Sequence, residues 1–202
     1  MTTRLEHRTI MGEKIKLENG PAYHALGPDL ALEDCDLAFE GSSSSATIAG
    51  LTMTGGSFGS GRPSTNIRFD RAHFEGVRFF GRYVGCDFGD RDETSRCVSN
   101  CDFSTAWLHL CRFKDGDAET CRFGPWPTVV ILNPQENAPK LLERVPSSWD
   151  AWRMLVAILA KSPPEWGATA LNVRQSMQKY GGNEEELKSV FAQTFVLTPA
   201  PA

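Results

Sequence analysis

Between Cys101 and Phe123 the chain reads CDFSTAWLHLCRFKDGDAETCRF, and a large apolar residue returns at every fifth position: Phe103, Leu108, Phe113 and Phe123, with Ala118 in the remaining place. Two residues before each stands a small one, at Cys101, Ala106, Cys111, Gly116 and Cys121. The same frame occurs upstream as Cys35-Asp36-Leu37, Leu51-Thr52-Met53, Ile67-Arg68-Phe69, Ala72-His73-Phe74, Val77-Arg78-Phe79 and Cys86-Asp87-Phe88. A period of five is neither the 3.6 of a helix nor the 2 of a strand, so it requires a coil that closes and stacks on itself. If each quintet is one side of a square, four quintets of roughly twenty residues complete a turn, and two inward side chains per side fill the axis. Cys101, Phe103, Leu108, Cys111, Phe113, Cys121 and Phe123 are then axis residues, with Cys101 under Cys121, Phe103 under Phe123 and Asp102 facing Arg122.

This frame accounts for five of the six cysteines without metal or disulfide. Stacked coils aim successive thiols in parallel, and only Cys97 and Cys101 lie close in sequence, with no second close pair or nearby histidine to complete a zinc site. No metal and no cofactor is expected. The net charge of -4 argues against direct binding to nucleic acid or an anionic membrane, which needs clustered Lys and Arg. The first residues carry charge where a signal peptide has its apolar run, and no window approaches the roughly 18 apolar residues of a membrane span. A soluble, cytoplasmic protein with reduced thiols is expected.

The quintets CDFST, AWLHL, CRFKD and CRFGP resemble the pentapeptide repeat family, over roughly residues 30–125. The resemblance implies a mainly β fold, a right-handed quadrilateral parallel β-helix of about 4–5 coils. The left-handed hexapeptide β-helix repeats every six residues and does not fit. The expected organisation is an N-terminal cap over 1–25, the β-helix over 26–125, a connecting segment over 126–145, and a C-terminal α-helical unit over 146–202. Residues inserted at GSSSS and GSGRPSTN should bulge outward. GDRDETSRCVSN keeps the frame but loses its apolar content, and is either a projecting partner-binding loop, carrying Asp90, Asp92 and Glu93, or an irregular solvated coil.

Beyond Val145 the pattern becomes helical. Ser147 to Asp150 has capping-box spacing, and Trp149, Trp152, Leu155, Val156 and Leu159 form an apolar stripe that either caps the coil or joins two chains in a homodimer. A second helix should run from Pro163-Pro164 toward Tyr180, and a third from Asn183. Nothing in the sequence brings a nucleophile and a base together: His7, His24, His73 and His109 lie in unrelated segments, the last two in outward slots, and the Gly-rich GLTMTGGSFGSG lacks the ending of a phosphate loop. The expectation is a non-catalytic protein-binding protein. Residues 26–125 carry fifteen acids against ten bases. Some members of the resembled family mimic duplex DNA toward a type II topoisomerase, which suggests self-protection against a topoisomerase poison or a cognate toxin. The alternative is a structural adaptor whose rod presents the C-terminal helices. A continuous acidic stripe would mark the mimic, and mixed charge the adaptor.

Overall fold

The computed structural model describes residues 2–18, 23–39, 45–89, 96–114, 117–192 and 196–197. Parallel strands wind into a β-solenoid of about five turns. The first turn carries β1 (Thr2–Leu5), β2 (Arg8–Met11) and β3 (Lys14–Leu17), and the second β4 (Tyr23–Leu26), β5 (Leu30–Glu33) and β6 (Asp36–Phe39). The third adds β7 (Ala46–Ala49), β8 (Leu51–Thr54), β9 (Ser57–Ser60) and the short β10 (Ser64–Thr65). Then come β11 (Arg68–Asp70), β12 (His73–Glu75) and the long β13 (Arg78–Val84), followed by β14 (Asp87–Phe88), β15 (Val98–Ser99) and the long β16 (Asp102–His109). The coil ends in β17 (Cys111–Phe113) and β18 (Arg122–Phe123). These strands stack into three sheets, in the orders β1-β4-β7-β11-β14-β17, β2-β5-β8-β12-β15 and β3-β6-β9-β13-β16-β18.

Phe103 stands under Phe123 and Asp102 opposite Arg122, as the five-residue frame requires. The turn length is not uniform. Thr2 pairs with Tyr23, Ile48 with Phe69, Phe69 with Phe88 and Phe88 with Phe113, so a turn takes from 19 to 25 residues. One corner recurs whatever the length. Gly12, Asp34, Gly55, Gly76 and Asn100 all have positive φ. The amides of the first four donate to Glu33, Thr54, Glu75 and Ser99 carbonyls one turn above, at 2.8–3.0 Å. A left-handed corner thus carries the backbone ladder round the bend, at positions that glycine, or a short polar side chain, occupies at least cost.

The axis is a ladder of phenylalanines. Phe69, Phe88 and Phe113 stack at 4.8 and 4.9 Å, and Phe79, Phe103 and Phe123 at 4.4 and 5.5 Å. Between the two ladders the rings meet edge to face, as Phe88 and Phe103 do at 5.2 Å. Offset stacking along the rod and T-shaped contact across it both suit the ring quadrupole. The small slots have their own chemistry: the thiols of Cys35, Cys86, Cys101 and Cys111 donate to the carbonyls of Ile10, Ser64, Phe74 and Tyr83 in the turn below, at 3.3–3.5 Å. Contact with the Cys121 thiol, then burial, pushes Cys101 above the ordinary thiol range, and burial, then Cys86, does the same to Cys111.

The segment expected as an N-terminal cap is itself the first turn: β1, β2 and β3 pair in parallel with β4, β5 and β6. GSGRPSTN does not simply bulge either, because its β10 pairs with Tyr83 and Val84 of β13 and Ser64 is buried. The expected loop residues Asp90, Asp92 and Glu93 lie outside the described residues.

The C-terminal unit is α/β rather than all-helical. It comprises β19 (Thr128–Leu132), α1 (Pro134–Leu142), α2 (Asp150–Leu159), β20 (Ala168–Asn172), α3 (Val173–Tyr180), α4 (Glu184–Phe191) and β21 (Val196–Leu197). The helix expected from Pro164 to Tyr180 is a strand followed by a shorter helix, and α1 occupies what read as a connector. The strand forms because β20 is held antiparallel between β17 and β19, a non-local pairing that overrides local propensity. Asn183 accepts from the amides of Glu185 and Glu186, as its spacing suggests. Ser147 does not cap α2, whose N-cap position is Trp149 with no side-chain bond. Alternation along β19 and β20 gives two buried faces. Val130, Ala168 and Ala170 close the solenoid axis, while Val129, Ile131 and Leu171 pack under the helices with Trp152, Leu155, Leu159 and Phe191.

Two measurements check this packing. Native thiol titration should label Cys121, which is half-buried, ahead of the five fully buried cysteines, and fast reaction of Cys101 or Cys111 would contradict the slot assignment. Phe113→Ala should lower unfolding free energy by about 3–5 kcal/mol in chemical denaturation, through lost burial and a residual cavity between Phe88 and Phe123.

Candidate partner-binding cleft

The surface of the rod is set by which side chains the strands turn outward. On one side the register aligns Lys14, Asp36, Ser57, Arg78, Asp102 and Arg122 in a single column. On another, Asp87 lies between Arg68 and Arg112 in neighbouring strands, and Arg112 holds both Asp87 oxygens at 2.6 Å while its guanidinium lies 4.9 Å from the Trp166 ring. Signs alternate along both columns. Acids and bases therefore neutralise one another between turns, and among the described residues neither column forms an acidic stripe.

Asp117, which stands between Asp115 and Glu119 in the sequence, is buried. One carboxylate oxygen accepts from the amides of Cys97 and Val98 at 3.0 Å each, and the other has no hydrogen-bond partner. Burial raises its pKa to about 6 against the opposing pull of those amides, Arg96 and Lys114. The acid thus anchors the chain where it rejoins the frame at Val98.

Trp149, Trp152, Leu155 and Leu159 belong to the chain's own second core. Trp152, Leu155 and Leu159 are buried, and the Trp152 indole donates to the Gly181 carbonyl at 2.9 Å, so this face of α2 packs inside the chain while its other face exposes Met154 and Ile158. His109 is not solvated either. It packs against Trp107 beneath the C-terminal unit, and burial, with Arg82 and Lys179 nearby, holds its pKa below the ordinary value.

The open recess of interest lies where the rod meets the C-terminal unit, a cleft of about 460 Å³. Its floor is Ser104 to Trp107 of β16, and its far wall is Asn172, Arg174, Gln175 and Gln178, with Trp126 beside them. Strand β18 covers only Asp102 and Phe103, so the rest of β16 emerges from under it into the cleft. The walls are braced. Arg82 stacks 4.0 Å from the Trp107 ring and donates to Gln175 at 3.2 Å. Arg174 and the Trp126 indole both donate to Glu184 at 2.7 Å, and these bonds, that to Arg174 foremost, pull the Glu184 pKa down to about 2. The sequence offered Trp107 only as a variable slot of a quintet, and no periodicity ties it to Trp126 or Arg174.

Among the described residues no group of three His, Cys, Asp or Glu side chains converges as a metal site, and no helix is long and apolar enough to cross a membrane. What the cleft presents is stacking surface, amide groups and guanidinium, the means to hold a ligand by shape and hydrogen bonds. No protein-family model, no curated protein and no solved structure matches the chain at a significant level.

Asp117 supplies a pH test. Its pKa is higher folded than unfolded, so its contribution to stability is full below about pH 4 and is lost as pH rises through about 6. Unfolding free energy should fall by about 1–2 kcal/mol over that window, allowing for solvent screening. Asp117→Asn keeps an acceptor for both amides and should remove the slope, which denaturant titrations at pH 4 and pH 7.5 would measure.

Proposed function

We propose that this protein is a non-catalytic protein-binding adaptor, in which a right-handed, four-sided coil of the pentapeptide-repeat type rigidly holds the C-terminal α/β unit. Support for four sides comes from β13 and β16, seven and eight residues long, whose second halves pair with each other and, through β13, with the short β10, beyond the stretch paired with β9 and β18. Six cysteines, none in a disulfide, suit a reducing compartment such as the cytoplasm.

The alternating charge along the outer columns carries the choice of adaptor over mimic. A protein that substitutes for duplex DNA has to offer one continuous sign of charge to a basic saddle, because like-charge contacts there cost several kcal/mol. Lys14, Arg68, Arg78, Arg112 and Arg122 interrupt these two columns in the first turn and in the turns of β11–β13 and β17–β18. A rod with two columns neutralised in this way, and only Glu33 and Glu75 as acids in the Met11–Ser99 column of the remaining sheet, is instead suited to spacing and rigidity. The unit it carries is fixed by the β17–β20 pairing rather than tethered by a linker.

A supercoiling assay with a type II topoisomerase, with and without a quinolone poison, tests this. Neither inhibition nor relief is expected as the protein is titrated in at low salt. Inhibition that fades steeply with added salt would overturn the adaptor reading in favour of DNA mimicry.

A further inference from the structure

Two of the small slots meet their own kind across a turn. Asp102 pairs with Arg122 and Asp87 with Arg112, so Cys101 and Cys121 stand over one another, as do Cys86 and Cys111. The backbone clamps each pair: the Arg122 amide donates to the Cys101 carbonyl and the Arg112 amide to the Cys86 carbonyl, both at 2.9 Å. Neighbouring strands of a ladder lie about 4.8 Å apart, a Cα separation that a disulfide can span. Side chains in register point the same way, so each pair sets two sulfurs side by side.

The two pairs differ in access. Cys86 and Cys111 are fully buried, with β20 laid against β17 beyond them. Cys101 is buried too, but Cys121 is half-buried and stands at the end of its stack, between the 3-10 turn Ala118–Thr120 and the two-residue β18 that ends its sheet. Its thiol donates to the nearby Asp117 carbonyl at 3.4 Å, whereas those of Cys86, Cys101 and Cys111 reach carbonyls of the turn below. Contact with the Cys101 thiol, foremost, holds the Cys121 pKa below the ordinary value and so favours the thiolate, the form that attacks an oxidant.

We propose that Cys121 and Cys101 form a peroxide-oxidisable pair, in which Cys121 is the reacting thiol and Cys101 the resolving one. The Cys121 thiolate attacks one oxygen of hydrogen peroxide, the O–O bond breaks, and Cys121 becomes a sulfenic acid while the departing hydroxide takes up a proton and leaves as water. The Cys101 sulfur then attacks the Cys121 sulfur. An S–S bond forms, the S–O bond breaks, and the Cys101 proton leaves with the hydroxyl as a second water. The two thiols give up two electrons in all, and the peroxide receives them. Parallel Cβ atoms at ladder spacing sit slightly further apart than a disulfide prefers, so one side has to shift, and Cys121, with no further turn stacked on it, is the side that can. The bond would tie the last turn to the one beneath it.

The test treats the reduced full chain with hydrogen peroxide under native conditions, blocks the remaining thiols with N-ethylmaleimide, and maps the products by peptide mass spectrometry. A Cys101–Cys121 disulfide should form at least roughly tenfold faster than any oxidation of Cys86 or Cys111, the buried pair that serves as internal control. Cys101→Ala leaves in the slot the residue that Ala72 and Ala106 supply in others, and its fold is checked by its unfolding midpoint. It should strand Cys121 as a sulfenic acid that dimedone traps, and Cys121→Ser should abolish oxidation of Cys101. Four results would each overturn the proposal: no Cys101–Cys121 link in excess peroxide, a dimedone-trapped Cys121 persisting in the unsubstituted chain, equal oxidation of Cys86 and Cys111, or a disulfide joining two chains through Cys121.

Discussion

The turns from Phe69 to Phe123 depend on aromatic rings stacked along the axis of a parallel backbone ladder, and leucines with Met53 fill the same axis in the earlier turns. The ladder sets the spacing between turns at about 4.8 Å, and the rings of Phe69, Phe88 and Phe113 repeat at 4.8 and 4.9 Å. Backbone and side-chain periods therefore coincide, so one register satisfies hydrogen bonding and apolar packing together. The cysteines fit the same logic. A thiol is small enough for the inward slot beside a ring, and its weak donor reaches a carbonyl of the turn below.

An axis of this kind has to be closed, and its closure at one end creates the cleft. Strands β19 and β20 bury both faces, the small residues Ala168 and Ala170 toward the solenoid and Leu171 toward the helices. Because β20 pairs with β17, the α/β unit sits over one part of the last turn while β18 covers another. The edge of β16 between them is left facing the gap. The interactions that order the gap are those that join its two sides, Arg82 from the rod to Gln175 and Trp126 to Glu184. The recess is therefore a consequence of how the rod is finished, and its rigidity comes from the same bonds.

The five-residue frame made the solenoid legible because inward and outward positions alternate at fixed intervals, and the amino acid at an axis position has few options. Phe103, Cys111 and Phe123 could be placed with no structure at all. The frame held less well where backbone conformation, which leaves little trace in hydrophobic pattern, set the spacing. Left-handed corners such as Gly12, Asp34 and Gly55 recur in turns of different length, and a first turn with weak quintets read as a cap. ATALN read as helix because its strand partners, Cys111 to Phe113 and Thr128 to Leu132, are remote in sequence.

The sequence by itself determined the class of fold, the axis residues and the role of the cysteines, since these follow from a local periodicity that only a stacked coil can satisfy. Tertiary structure decided the rest. It turned Asp117 inward to hold two amides, withdrew Trp152 from the surface, and brought Trp107 of the rod within reach of Arg82 and the C-terminal helices. None of these follows from the pattern of inward residues, because the energy that selects them comes from burial and hydrogen bonds of outward side chains and of the C-terminal unit, formed only once the turns are stacked.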